Sequence, residues 1–437
     1  MKSSVFIILK YYVIIWVLYF LTLAIFPIKS IWDNSEIVFL LTIFYLFITI
    51  IISVVTLSFL SKTKNKNYIS IYNNNVVITK LVFYTITISI LGGLFVLYDK
   101  IIYQGIDFSR GPAIARIQWQ QSAQLRESFS SVFSVLGNIL SSLNIIGLGL
   151  LHLHWEIIKK QKRIIFLLFG LIGLFFISYV SGGRSILIMV ISSLIGIGAI
   201  RKVRCLPFLP MKSARKIYLI LIMASALLYS MYIFNERAKM NNIPIEIYAH
   251  NWINELGGEE TLLYNEIVNK FENSKSIIYL STVVASYIYH GNWIFQGIID
   301  LNSRSGYSLF RTWVAMLNRL PFISIDMKPY HFSGYFATLP GFIYYDYGFY
   351  GIIMGGLIHG ILLGISMFFI KKKKTGPISF AFIHFILMTT YLSPIGAAFD
   401  FMLSPLLVLG YIFVFIIFRY RNFSWTISHN TYRLINT

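Results

Sequence analysis

The stretch Lys159–Arg204 reads KKQKRIIFLLFGLIGLFFISYVSGGRSILIMVISSLIGIGAIRKVR. Two apolar runs, Ile164–Val180 and Ile186–Ile200, are joined by five residues and closed at both outer ends by basic clusters. A hydrocarbon core about 30 Å thick takes about 20 apolar residues per helical crossing. The segment is therefore expected to enter and leave a membrane through one face, with its short turn on the other.

The same pattern extends along the chain. Further apolar runs lie at Val5–Phe26, Ile37–Leu60, Val76–Leu97, Phe129–Leu153, Ile217–Phe234, Phe342–Ile370, Ile378–Leu392 and Phe401–Phe418, which makes about ten spans in all. The 437 residues are 57% hydrophobic, with a mean hydropathy of +0.71, too apolar for a soluble core. Backbone groups in lipid must bond internally, which leaves helices or closed barrels. Period-two alternation is absent, so the expectation is an all-α polytopic helix bundle forming a single integral membrane domain over residues 1–437.

Charge sets its orientation. Lysine and arginine number 37 against 17 acids, and the surplus sits in alternate connections. The clusters are Lys62–Lys66, Lys159–Arg163, Arg201–Lys216, Lys371–Lys374 and the tail from Arg419 to Arg433. With the N-terminus inside, all fall on the inner face, which then holds 21 basic residues and one acid, Glu156. This is the positive-inside pattern. It puts both termini in the cytoplasm and explains the net charge of +20 by insertion and anionic lipid rather than by nucleic acid. Met1–Phe26 lacks a following small-residue cleavage site and reads as a retained first span. The lone cysteine, Cys205, precludes an intramolecular disulfide. No metal-ligand spacing, Asp-x-Asp, Walker loop or dinucleotide turn appears, so neither a metal nor a cofactor is expected.

Two outer connections are long, 98–128 and 235–341, and together they are expected to form a helical outer cap. A loop as long as the second needs secondary structure of its own. Gly257 and Gly258 break it, and Glu259–Phe271 reads as an amphipathic helix with Leu262, Leu263, Ile267 and Phe271 apolar. Ser276–Asp300 is nearly apolar. A crossing there would put Lys371–Lys374 outside, so it is expected to lie at the outer surface or on the bundle.

Chemistry on the outer face has three candidate sources. The hairpin Ser181-Gly-Gly-Arg184-Ser places an arginine beside a helix start, a natural phosphate site. The plainer reading is a headgroup anchor. Arg304, Arg311 and Arg319 fall on one face if the segment is a helix, aimed at an anionic substrate or at lipid headgroups. Their uniform choice of arginine, which grips phosphate bidentately, favours the substrate. Third is the run Tyr335–Tyr350. Most of its tyrosines suit an interfacial belt, but Asp346 at the mouth of a span is a site candidate, as a base or as the holder of an arginine. His331 is a second candidate base. The first outer loop adds Arg110, Arg116 and Arg126, with Pro112 suited to the first turn of a helix carrying Arg116; the plainer reading is a solvated helix with an Arg116–Glu127 pair on one face. His359 and His384 lie within spans and read as hydrogen-bonded packing residues, and Asp400 as the partner of a loop cation.

The Ser181–Ser185 hairpin, the two large outer loops and Tyr344-Tyr345-Asp346-Tyr347-Gly348 entering a Gly-rich span resemble the oligosaccharide repeat unit polymerases of bacterial surface polysaccharides, the O-antigen polymerase (Wzy) family. The resemblance implies an inner-membrane glycosyltransferase with a periplasmic site, acting on glycans carried by undecaprenyl pyrophosphate. A polysaccharide chain-length regulator is an implied partner alongside the membrane lipids. On that reading Arg184, Arg304 and Arg311 bind the pyrophosphate, with Arg110, Arg116 and Arg319 available to the same substrate. Asp346 or His331 takes the acceptor proton, and Tyr344 and Tyr345 stack on sugars. O-antigen ligases have a similar architecture, and a lipid-linked glycan flippase is the transporter alternative.

Overall fold

The computed structural model describes residues 5–62, 75–109, 111–124, 131–183, 185–210, 215–301, 306–318, 322–326, 332, 336–372, 377–401 and 403–419. Each of the ten apolar runs carries a helix. These are α1 (Ile7–Ile25), α2 (Ser35–Lys62), α3 (Asn75–Tyr98), α5 (Val132–Leu153), α6 (Lys160–Ser181), α7 (Ser185–Val203), α8 (Arg215–Met240), α13 (Leu339–Lys371), α14 (Pro377–Leu392) and α15 (Leu403–Arg419). Between them stand α4 (Pro112–Gln124), α9 (Ile245–Glu255), α10 (Leu262–Lys270), α11 (Lys275–Ile299) and α12 (Arg311–Leu317), with two short strands, β1 (Ile28–Ser30) and β2 (Gly258–Glu260). Among the described residues, seven helices are long and apolar enough to cross a membrane: α1, α2, α3, α5, α6, α7 and α13. The chain is an all-α, multi-pass membrane bundle.

Contacts between connections divide the bundle into two faces. On one, Lys371 Nζ donates to Ser61 Oγ across 3.0 Å, and Arg201 pairs with Glu156. Arg201 is fully buried and also donates to the carbonyls of His152 and Pro207. This is the face of the basic clusters. On the other, β1 pairs antiparallel with β2, joining the α1–α2 connection to the long 235–341 segment. The strands and α9–α12 make a cap there. α11 packs on cap elements and on the bundle, where Ile294, Phe295 and Ile298 join the main core. Ile278, Tyr279 and Trp293 join Ile28, Ile253 and Tyr264, while Val283 joins Phe234 and Ala249.

The core follows from small residues and satisfied polar groups. α5 is central, with every residue from Ser141 to Leu153 buried. α13 carries Gly356, Gly360 and Gly364 four residues apart, on one helix face. A Cβ on Gly360 would stand 2.8 Å from Thr49 O, and one on Gly364 2.7 Å from Ser53 O, so the stripe lets α2 and α13 touch at backbone distance. His359 bridges Tyr45 Oη at 2.7 Å and Thr390 Oγ1 at 2.9 Å, and His384 meets Ser193 and Tyr411. Both histidines are hydrogen-bonded packing residues.

Three expectations change in detail. The run Phe342–Ile370 is not one straight span. Gly348 stands at φ 61°, ψ −149°, a conformation essentially reserved for glycine, and breaks α13. Residues 339–347 fold back on the span, with Ile343 against Gly351 and Gly355. The amphipathic helix starts at Leu262, after β2, because Thr261 caps it by accepting the Tyr264 N–H. It buries Tyr264 and Val268 and leaves Leu262 83% exposed. Finally, no continuous helix joins Arg304 to Arg319. Gly306 at φ 76° and a 3₁₀ turn at Ser308–Phe310 precede α12, which begins at Arg311.

Candidate functional site

Of the residues singled out in the sequence, Arg110, Arg126, Glu127, Arg184, Arg304, Arg319 and His331 lie outside the described residues. Arg116, Arg311, Tyr344, Tyr345 and Asp346 are described, and all stand on the cap face.

Asp346 is buried, at 4% exposure, on the folded-back part of α13. Its Oδ1 accepts the Ser308 N–H at 3.0 Å and its Oδ2 the Leu309 N–H at 3.2 Å. The carboxylate thus caps the turn leading into α12, as acidic side chains do at helix starts. Next to it, Tyr347 Oη donates to Gly306 O at 2.8 Å. Tyr345 is part of the buried core, and Tyr344 packs against Phe295 at 5.7 Å between ring centroids.

Arg311 and Thr312 are tied to a second buried acid. Arg311 Nη2 donates to Asp400 Oδ2 at 3.1 Å, and Thr312 Oγ1 to Asp400 O at 2.6 Å. Asp400 sits in the 3₁₀ turn Ala398–Asp400 between α14 and α15, at 3% exposure. Burial pushes its carboxyl up to about 7, and nearby Asp346 adds to this, while Arg311 and Thr312 oppose it. Its Oδ1 is buried without a hydrogen-bond partner among the described residues. The expected loop cation for Asp400 is therefore Arg311. Two carboxylates from different parts of the bundle staple the segment after α11.

A second cluster surrounds the hairpin. α4 begins at Pro112 and carries Arg116 to it. Arg116 Nη1 donates to Gly182 O at 3.0 Å, and the Arg116 stem lies against Gly182, where a Cβ would stand 2.8 Å from its own. Gly182 adopts φ 59° as the left-handed cap of α6. Lys100, 4% exposed in the π-turn after α3, donates to Val180 O at 2.7 Å and lies 5.0 Å from the Trp119 ring centre. Arg237, on the last turns of α8, stacks 5.8 Å from Phe234. Arg116 feels both Lys100 and Arg237. Burial, then the Arg237 guanidinium, push its pKa down, against Tyr287 and Tyr229.

Nothing in the sequence marks Lys100 or Arg237 as site residues. Each closes an apolar run, where a basic residue ordinarily anchors a helix at the headgroups, and only the tertiary fold brings them to the hairpin. Comparison with protein-family models, with characterised proteins and with solved structures finds no match.

Proposed function

We propose that the chain is a glycosyltransferase of the bacterial inner membrane that polymerises oligosaccharide repeat units carried on undecaprenyl pyrophosphate, building O-antigen or a related surface polysaccharide. The reaction takes place on the cap face, turned to the periplasm, with both termini in the cytoplasm. One observation carries the reading: Arg116, from the first long connection, holds the carbonyl of Gly182 in the hairpin whose sequence continues with Arg184. Guanidinium chemistry from separate parts of the chain converges on one side of a lipid-embedded bundle, where a lipid-linked diphosphate arrives by lateral diffusion.

A hydroxyl of one repeat unit attacks the anomeric carbon of the glycan on a second lipid. The new C–O bond forms as the bond from that carbon to the phosphate oxygen breaks, and undecaprenyl pyrophosphate leaves with the electron pair. The diphosphate is a good leaving group, so positioning and charge stabilisation are the main requirements. Arg184 supplies charge to the departing diphosphate. The acceptor proton passes to an acid–base group of the cap. Both Asp346 oxygens accept backbone N–H groups, which supports a role for Asp346 in holding α12 in place. No metal enters the scheme.

The test is reconstitution of the full chain in liposomes with undecaprenyl-pyrophosphate-linked repeat units alone. The expected product is a ladder of lengthening glycans with release of undecaprenyl pyrophosphate. Arg184→Lys keeps the charge but loses the fork and is expected to slow the ladder by about 10²–10³, or about 2.7–4 kcal/mol in barrier. A ligase or a flippase yields no ladder from these components, and its absence would refute the proposal.

A further inference from the structure

We infer that Lys100, Arg116 and Arg237 form the binding site for the diphosphate of the lipid-linked substrate, an assignment that rests on the glycosyl-transfer reading above. The cluster draws on three elements: the turn after α3, α4, and the end of α8. Asp99 lies next to Lys100 and is itself held by Gln104 and Ser131. Glu236, next to Arg237 in sequence, takes Lys239 at 3.0 Å. α4 packs on α8, with Gly111 beside Tyr232, which brings Arg116 within electrostatic reach of Arg237, and neither has a carboxylate partner among the described residues. Like charges brought together and drawn out of water oppose folding unless an anion neutralises them.

The carbonyls at the end of α6 account for part of this arrangement. Val180 O receives Lys100 and Gly182 O receives Arg116, as cations at a helix C-terminus do. They do not account for Arg237, whose contact is the face of Phe234. α7 starts at Ser185, so a helix N-terminus follows in the same hairpin.

The ligand chemistry is phosphate, and the charge selects between its sources. A glycosyl diphosphate diester carries two ionised phosphates, matching two unpaired guanidinium groups, whereas phosphatidylglycerol carries one. Arg311 is the weaker candidate for this role, since Asp400 already engages it. Arg184 follows Gly183 directly and adds a further guanidinium to this stretch of sequence.

The experiment uses the full chain in phosphatidylcholine nanodiscs, titrated with undecaprenyl diphosphate and read by microscale thermophoresis. Saturable binding is expected. Arg237→Gln removes a cation that holds no backbone group and repels Arg116, so the ligand-free protein is expected to unfold no lower than wild type while the Kd rises about tenfold or more. Arg116→Lys, which leaves the charge at the hairpin, is the second variant and is also expected to weaken binding. Higher salt should narrow the gap between wild type and Arg237→Gln. Equal concentrations of phosphatidylglycerol should leave the bound lipid in place. Unchanged binding by Arg237→Gln overturns the site, and displacement by phosphatidylglycerol reassigns it to phospholipid headgroups. A glycan ladder alongside unchanged Arg237→Gln binding refutes this site and leaves the polymerase reading standing. Binding that responds to Arg237→Gln without any ladder refutes that reading and leaves the site.

Discussion

Asp400 shows how one buried side chain couples the cap to the bundle. Its carboxylate reaches Arg311 while its backbone carbonyl receives Thr312. With a folded pKa about 7, above the ordinary aspartate value of ~3.9, it holds a proton in the folded state that the unfolded chain has lost between those values. Stability from this group is therefore greatest at low pH, falls as pH rises from about 4 to about 7, and is level above. Asp400→Asn does not titrate. Thermal unfolding of the detergent-solubilised protein should show that the wild-type curve loses stability through this window relative to the Asn variant. Parallel curves would mean that Asp400 is ionised throughout. The sequence marked Asp400 as the partner of a loop cation, and Arg311 fills that place. The hydrogen bonds that Asp346 accepts from Ser308 and Leu309 could not be read from the sequence, because those residues stand 38 and 37 positions away.

Between elements, the contact of α2 with α13 depends on the stripe Gly356, Gly360 and Gly364. In lipid there is no hydrophobic drive between helices, so close backbone approach does much of the work. Gly360→Leu forces a branched side chain against Thr49 O and is expected to cost about 1–3 kcal/mol, read as a lower unfolding temperature in detergent. An unchanged unfolding temperature would show that the helices separate easily. The helices themselves were legible in the sequence because each apolar run is close to the length that lipid demands. The break at Gly348 was not. The run from Phe342 is apolar on both sides of it, and nothing but the backbone conformation of one glycine marks the reversal. The β1–β2 pairing was equally hidden, since three-residue strands from distant connections carry no periodic signal.

At the scale of the molecule, the pairings Lys371–Ser61, Arg201–Glu156 and β1–β2 sort the connections into two sets, and these are the sets that charge alone distinguished. Alternation of basic clusters was readable because it is a property of composition along the chain. The gathering of Lys100 and Arg237 at the Ser181–Gly183 hairpin was not, because it depends on how α3, α4 and α8 meet α6. The proposed chemistry requires the hairpin and cap to lie outside the cytoplasm. The native Cys205 is exposed on the opposite, basic face, so the chain carries its own marker for that face. Leu262, 83% exposed on α10, marks the cap. Labelling of spheroplasts with a membrane-impermeant maleimide tests the orientation directly. Leu262→Cys in a Cys205→Ser background is expected to label in intact spheroplasts, and native Cys205 only after permeabilisation. Labelling of Cys205 in intact spheroplasts, with residue 262 protected, would contradict the account.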